Sequence, residues 1–211
     1  MNKILLTSAA AMALSAGAHA VNLNIQSMQP GLYQTVTINF NGNNQTVYAG
    51  AQKVSIDGGP GTSLYCVDLG HANHFGDSYN ANVQGLNTLS NGNLVGNLMT
   101  NFWSTLDTST EAAAFQLALW DAVVDGGDGL NAGNFKGVNV SAALSNQFSI
   151  YKAAMNNAGP ENLMISVYNA VDHGPYNKDH QNLIGAESVP EPATMAILGV
   201  AAAFAARRRK R

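Results

Sequence analysis

The sequence predicts a single α+β domain of antiparallel β-strands and two main helices, flanked by an N-terminal signal peptide and a C-terminal sorting helix. Three observations predict it: alternating apolar and polar residues between Asn/Gly turns, two capped segments with helical spacing, and processing patterns at both ends. The length of 211 residues suits one domain with processing segments. We assign residues 1–20 to the signal peptide, 21–188 to the domain and 189–211 to the sorting signal.

The predicted strands begin early in the domain. Val36, Ile38 and Phe40 alternate with polar residues, and the Asn- and Gly-rich residues 41–44 form a turn signal before a returning strand. The Asn- and Gly-rich stretch 71–97 is expected to be a long ordered loop. The predicted strands cover 32–40, 46–51, 63–69 and 163–171.

The two predicted helices have recognisable ends. Thr108 and Glu111 have the spacing of a capping box, and the glycine pair 126–127 is expected to end that helix. The second helix is expected to begin after Ser141 and to end before Gly159-Pro160. Strands followed by helices and a closing strand favour the α+β class.

The N-terminus has the features of a secretory signal. Lys3 precedes the apolar residues 4–14, and Ala18 and Ala20 stand where a signal peptidase requires small residues. A buried N-terminal helix is the alternative, but this apolar stretch ends in a cleavage pattern. We expect the mature chain to begin near Val21.

The C-terminus combines three features in a fixed order. The motif Pro190-Glu191-Pro192 precedes fourteen uncharged residues, 193–206, and five basic residues, 207–211. Fourteen residues make a helix of about 21 Å, short for a bilayer core of about 30 Å. The cations are expected to hold its end at the cytoplasmic face, so that the helix lodges transiently in the inner membrane.

This tail resembles the PEP-CTERM sorting signal of Gram-negative bacteria. The resemblance covers Val189–Arg211 and implies recognition by a membrane-embedded exosortase, cleavage near the Pro-Glu-Pro motif, and delivery to the cell surface or the extracellular matrix, including that of a biofilm.

The charge of the mature body argues against nucleic acid as a partner. Without its two ends the chain keeps four lysines against twelve acidic residues, a net charge of −8. One cysteine excludes an intramolecular disulfide, and 25 Asn with 21 Gly give an uncharged but polar surface that suits an extracellular protein.

Two residues of the body stand out chemically. Gln116 is the only polar member of the helical face that includes Ala112, Leu119 and Trp120, and Cys66 is the only sulfur nucleophile. A buried carboxamide without partners costs about 1–3 kcal/mol for each unmet group. Attack of the Cys66 sulfur on the Gln116 carbonyl carbon, with loss of ammonia, would remove the amide nitrogen and form a thioester. Apolar side chains could keep water from that bond, and the candidates are Phe115, Leu119 and Trp120.

The surroundings of both residues resemble known motifs. Leu64-Tyr65-Cys66-Val67-Asp68 is similar to the cysteine motif of bacterial thioester domains, and residues 114–120, with Gln116 four positions before Trp120, are similar to their glutamine motif. The resemblance implies a Cys66–Gln116 thioester that bonds covalently to amine-bearing surfaces. Such a bond forms autocatalytically and is used once, so no enzymatic turnover and no cofactor are expected.

Other interpretations remain open. The main alternative is a non-covalent structural component of a biofilm matrix, with Cys66 as a buried free thiol. A hydrolase would need a histidine near Cys66, and a zinc site would need the clustered Cys66, Asp68, His71, His74 and Asp77. We predict no metal site, because one sulfur is present and the acidic residues near 126–127 miss the EF-hand spacing. The candidate bases are His71, His74, His173 and His180, and the acidic residues are Asp121, Asp125 and Asp128.

Overall fold

Strands dominate the computed structural model, which describes residues 19–171 and 180–189. Two 3₁₀ turns, Leu86–Thr88 and Trp103–Thr105, flank the first helix. The strands are β1 (His19–Phe40), β2 (Asn43–Ile56), β3 (Gly61–Cys66), β4 (Ser78–Gln84), β5 (Phe135–Val138), β6 (Leu163–Ala170) and β7 (Leu183–Ser188). The helices are α1 (Gly92–Phe102), α2 (Ser109–Asp125) and α3 (Ala142–Ala154).

The strand pairings close on themselves. Every pairing is antiparallel, in the order β2-β3-β7-β6-β4-β1-β5, and β1 also pairs with β2. The long β1 makes this possible, because its first part pairs with β4 and its last four residues pair with β5. Two register shifts, after Ile25 and after Met28, interrupt the β1–β2 ladder. The α+β class and the antiparallel arrangement are therefore confirmed.

Helix α2 lies at the centre of the fold. All residues from Ala112 to Ala122 are buried, and the helix contacts β1, β2, β3 and the other two helices. The predicted capping box is confirmed, since the Thr108 side chain accepts from the Glu111 N–H while the Glu111 carboxylate accepts from the Thr108 N–H. Gly126 ends the helix in the left-handed conformation, with φ of 71°. Both ends of the helix that carries Gln116 were thus predicted correctly.

The prediction of a long loop over 71–97 is wrong. This stretch contains β4 and the start of a third helix, α1, so the count of two main helices is also too low. In β4, Tyr79 and Ala81 point inward between exposed Ser78 and Asn80, an alternation that asparagine-rich composition obscures. In α1, buried residues follow helical spacing: Val95, Leu98 and Met99.

The strands differ from the predicted segments in both their bounds and their number. β1 begins at His19 instead of residue 32, β3 ends at Cys66 instead of residue 69, and neither β5 nor β7 was predicted. The second predicted helix begins after Ser141 as expected, and the Ser141 hydroxyl accepts from the Leu144 N–H.

Most of the two processing signals lies outside the described residues. This applies to the cleavage residue Ala18, to the motif Pro190-Glu191-Pro192 and to the apolar and basic residues behind it. Ala20 belongs to β1, where it pairs with Asn82. Among the described residues no helix is long and apolar enough to cross a membrane.

Candidate functional site

The fold brings Cys66 and Gln116 into direct contact. Cys66 ends β3 and Gln116 lies in the middle of α2, and their exposed fractions are 3% and 1%. The Cys66 backbone N–H donates to Gln116 Oε1 at 3.0 Å, and Gln116 Nε2 donates to the Cys66 carbonyl oxygen at 2.7 Å. The carboxamide is therefore held at both ends against the peptide groups of the residue that carries the sulfur.

A tight turn after β3 holds the sulfur. Cys66 Sγ lies 2.8 Å from the Asp68 carbonyl oxygen, to which the thiol donates, and 3.3 Å from the Asp68 backbone nitrogen, whose N–H it accepts. Burial raises the pKa of Cys66 to about 12, and the hydrogen bond with Asp68 and the nearby Trp120 indole counteract only part of that rise. The Trp120 N–H makes no hydrogen bond of good geometry, so its effect on the sulfur is one of proximity. A free thiol in this position is neutral at pH 7.

The three predicted shielding residues occupy different places. Trp120 lines the same cavity as Cys66 and packs edge-on against Phe135, with ring centroids 5.9 Å apart. Phe115 packs against Tyr65, the residue before Cys66, at 5.0 Å. Leu119 is fully buried. Trp120 thus borders the sulfur on the cavity side, whereas Phe115 supports β3 from within the core.

Cys66 lines a cavity of about 340 Å³. Cys66 and Trp120 line it together with backbone and side chains of the 69–75 loop. Two aromatic rings at its border, Tyr48 and Phe75, are more than half exposed and stack with centroids 6.4 Å apart. Cys66 is therefore almost fully buried, and the cavity that it lines extends to two exposed aromatic rings.

Amide side chains stiffen one wall of this cavity. Gln52 donates to Gln181 at 3.1 Å and accepts from Asn73 at 3.3 Å. Asn73 also donates to the Tyr79 hydroxyl at 3.2 Å, and that hydroxyl donates to the Gln181 carbonyl at 3.0 Å. Because these bonds join β2, the 69–75 loop, β4 and the residue Gln181 just before β7, the wall is fixed by four separate parts of the chain.

Each candidate histidine in the described part of the chain lies near the carboxylate of Asp68 or Asp77. His71 Nδ1 lies 2.6 Å from Asp68 Oδ2, and Asp77 Oδ2 lies 3.5 Å from His74 Nδ1 and 3.6 Å from His180 Nδ1. In the described part of the chain these residues form no cluster of three metal-ligating atoms. Of the candidate bases, His71 and His74 line the cavity that holds Cys66, His180 stacks on Tyr79 at 4.2 Å, and His173 lies outside the described residues.

The burial of Asp121 was not predicted. Gln116 was expected to be the only polar member of the inward face of its helix, and Asp121 was named only as one of three acidic residues near 126–127, but Asp121 is buried as well, with no exposed surface. Desolvation raises the pKa of Asp121 to about 6. The burial of α2 on all sides explains the error, because a helix without a solvent face offers no stripe on which to sort polar residues.

Comparisons with known proteins found a family match for the C-terminal tail and solved structures similar to the fold. Residues 188–210 match the model of the PEP-CTERM protein-sorting motif, which marks an exported protein that is sorted to the cell surface. No curated protein matches the chain.

Two solved structures of bacterial thioester domains resemble the fold. The N-terminal thioester domain of a surface protein from Clostridium perfringens, a cysteine-to-alanine mutant, is 16% identical, with 66% of this chain and 89% of that chain covered and a TM-score of 0.47. The thioester domain of the Staphylococcus aureus TIE protein is 13% identical, with 82% and 79% covered and a TM-score of 0.41.

Proposed function

We propose that Cys66 and Gln116 form an intramolecular thioester, and that the exported chain uses this bond once to attach itself covalently to an amine-bearing surface or matrix component. The observation that carries the proposal is the pair of hydrogen bonds between the Gln116 carboxamide and the Cys66 backbone, at 3.0 and 2.7 Å. These bonds hold the acyl carbon beside the residue whose sulfur would attack it.

The bond-forming step needs no external reagent. The Cys66 sulfur adds to the Gln116 side-chain carbonyl carbon, the carbon–nitrogen bond breaks, and the thiol proton leaves with the amide nitrogen as ammonia. Negative charge develops on Gln116 Oε1 during this addition, at the atom to which the Cys66 N–H already donates. A donor aimed at developing charge lowers the barrier of acyl transfer.

The electrostatics of the site favour the thioester over a thiolate. The burial that raises the pKa of Cys66 to about 12 makes a charge on the sulfur unfavourable. A thioester carries no charge and loses the polar N–H group, so it suits the same apolar surroundings. Trp120 borders the bond on the cavity side and limits the approach of water.

The amine would enter through the cavity that Cys66 and Trp120 line. The amine nitrogen attacks the Gln116 acyl carbon, the carbon–sulfur bond breaks, the sulfur takes a proton, and an amide through Gln116 remains. Because an ammonium ion has no free electron pair, it must first lose a proton. His71, oriented by Asp68 at 2.6 Å and exposed to the same cavity, is our candidate for that base.

Export places this chemistry outside the cell. The PEP-CTERM motif at residues 188–210 implies processing by an exosortase and sorting to the surface. We further propose cleavage by signal peptidase after Ala20, transient anchoring of the tail in the inner membrane, and release to the surface or matrix of a Gram-negative cell.

Intact mass tests the thioester directly. The chain as purified should be lighter by one ammonia than its sequence requires, and methylamine should add its own full mass and release a free thiol. A chain of full mass that does not react with methylamine would overturn the proposal.

The runner-up function is a non-covalent structural component of a biofilm matrix. The raised pKa of Cys66 favours it, since a buried neutral thiol is chemically inert, and the two Gln116 hydrogen bonds would then serve only to satisfy a core amide. In that case Cys66→Ala should leave surface retention of the exported chain unchanged, whereas covalent attachment requires that it be lost.

A further inference from the structure

A cluster of three carboxylates lies where α2 ends. Asp121 and Asp125 are one helical turn apart on α2, and Asp128 follows in the glycine-rich turn. One oxygen from each carboxylate lies within 4.8 Å of the other two. The spacing in sequence differs from that of an EF-hand, and it is the reversal of the chain at Gly126 that brings the third carboxylate back to the helix.

The buried member of this cluster lacks a partner for one of its oxygens. Asp121 has no exposed surface, and its Oδ1 accepts from the Gly129 N–H at 3.0 Å. Its Oδ2 is buried and has no hydrogen-bond partner in the described part of the chain. A buried carboxylate oxygen without a partner is unfavourable unless a cation or a donor reaches it.

The lysine whose charge acts on Asp121 does not fill this role. Lys152 Nζ donates to the Asp128 carbonyl oxygen at 2.6 Å. Its charge offsets only part of the rise in the pKa of Asp121 that desolvation causes. Within the residues that the structure describes, Lys152 forms no ion pair with the three carboxylates. The cluster therefore keeps an excess of negative charge beside one buried, unpartnered oxygen.

Two of the three carboxylates, those of Asp121 and Asp125, are also held in place before any ion arrives. Asp125 accepts from the backbone N–H groups of Asn134 and Phe135, at 3.0 and 2.7 Å, and Asp121 is fixed by Gly129. Oxygen ligands that are already positioned lose little freedom when a cation binds.

We propose that Asp121, Asp125 and Asp128 bind a calcium ion. The donors are all oxygens, which suits Ca²⁺ and disfavours zinc and copper, and water completes the six to eight ligands that Ca²⁺ takes. Ca²⁺ tolerates irregular geometry, whereas Mg²⁺ demands a near-ideal octahedron. Sites of extracellular modules bind Ca²⁺ with dissociation constants of about 0.1–1 mM, in keeping with an exported protein.

The ion would join the end of α2 to the segment that follows it. Asp125 already contacts residues 134 and 135 at the start of β5, and Asp128 contacts Lys152 on α3. This site uses none of the atoms of the proposed thioester, so the two proposals stand or fall separately.

Thermal unfolding of the full-length chain, stripped with EDTA, tests the site. At 10 mM Ca²⁺ the melting temperature should rise by about 3–6 °C if the dissociation constant is near 1 mM. The same concentration of Mg²⁺ should raise it by less than half as much. Terbium ions should show luminescence sensitised by Trp120, the neighbour of Asp121, and Ca²⁺ should displace them.

Variants separate a site from general charge effects. Asp128→Asn changes an exposed residue and should abolish the Ca²⁺ shift without unfolding the chain. Asp107→Asn, an exposed acidic residue at the other end of α2, should keep the whole shift, and so should Cys66→Ala. No Ca²⁺ shift in the unaltered chain, or an equal shift in Asp128→Asn, would overturn the proposal. If Lys152 is instead the counter-charge of the cluster, Lys152→Met will lower the melting temperature, and neither this variant nor the unaltered chain will respond to Ca²⁺, which also contradicts the proposal.

Discussion

Gln116 and Asp121 are two buried polar residues on one helix, and the fold treats them differently. The Gln116 amide is neutral, and both its oxygen and its nitrogen bond to the backbone of Cys66. Asp121 bears a carboxyl group of which one oxygen has a backbone partner and the other has none among the described residues. Five residues turn a helix by about 140°, so the two side chains face different neighbours.

This contrast shows that burial alone does not indicate what a polar group does. At Gln116 the hydrogen-bond partners are the backbone N–H and carbonyl of Cys66, and together they fix the carboxamide carbon in one orientation. At residue 121 the partner set is incomplete and the group is acidic, which points to a cation. Substitutions at and around the two positions test each half of this contrast.

Removal of either thioester partner should abolish the bond completely. Cys66→Ser and Gln116→Ala should each show the full mass expected from the sequence and no reaction with methylamine, because one atom of the bond is missing. Asp121→Asn is the matched control on the same helix and should still lack one ammonia. A mass deficit that persists in Gln116→Ala would assign the acyl group to another residue and separate it from the hydrogen bonds at Cys66.

The freed thiol should react slowly and become reactive only at high pH. In Gln116→Ala, burial should keep the pKa of Cys66 near 12, against an ordinary value of 9.0. At pH 8 the folded chain would then contain about a thousandfold less thiolate than the unfolded chain, and iodoacetamide should react slower by that factor. The rate should rise about tenfold per pH unit up to about pH 11.

The raised pKa of Cys66 also determines how the stability of this variant depends on pH. The folded state holds the thiol neutral, so its contribution to stability is complete below pH 9 and is lost as the pH rises from 9 towards 12. Alkylation of the folded variant at pH 7 as fast as that of a small free thiol would show that the sulfur is not in the buried environment described here.

Loss of the proposed base should slow the amine reaction without preventing the thioester. His71→Gln should keep the mass deficit but react with methylamine about a hundredfold more slowly at pH 7.5, a usual effect of general-base catalysis. The difference should shrink above the pKa of methylamine, where the amine is already neutral. His74→Gln, on the same loop, is the control and should react at the normal rate. A pH-independent loss in His71→Gln would indicate altered structure instead of a lost base.

Parts of the fold with local signals were predictable, and parts that depend on distant pairing were not. The capping box at Thr108 and Glu111 and the stop at Gly126 are local, and both helix ends were correct. β5 and β7 are short segments whose strand character depends on pairing with β1, β3 and β6, so no local pattern reveals them. β4 and α1 had signals, but a polar composition masked their buried positions.

In the candidate site, too, individual residues could be predicted from the sequence, whereas features that depend on packing could not. Cys66 and Gln116 could be selected because each is chemically unusual in its own segment. The cavity could not be predicted, since its wall joins Asn73, Gln52 and Gln181 from three distant parts of the chain. The unpartnered Asp121 oxygen is likewise a property of packing, because the same aspartate on a solvent-facing helix would be unremarkable.

The last comparison changes the charge at the two positions in opposite directions. Gln116→Glu places a carboxylate opposite the Cys66 carbonyl, where a donor now lies at 2.7 Å, and should lower the free energy of unfolding by about 3 kcal/mol or more. Asp121→Asn removes a buried charge but keeps an oxygen for the Gly129 N–H, so without Ca²⁺ it should change that free energy by less than about 1 kcal/mol. Urea unfolding in EDTA measures both. A loss of about 3 kcal/mol in Asp121→Asn would mean that the fold itself stabilises that charge, and the contrast between the two positions would disappear.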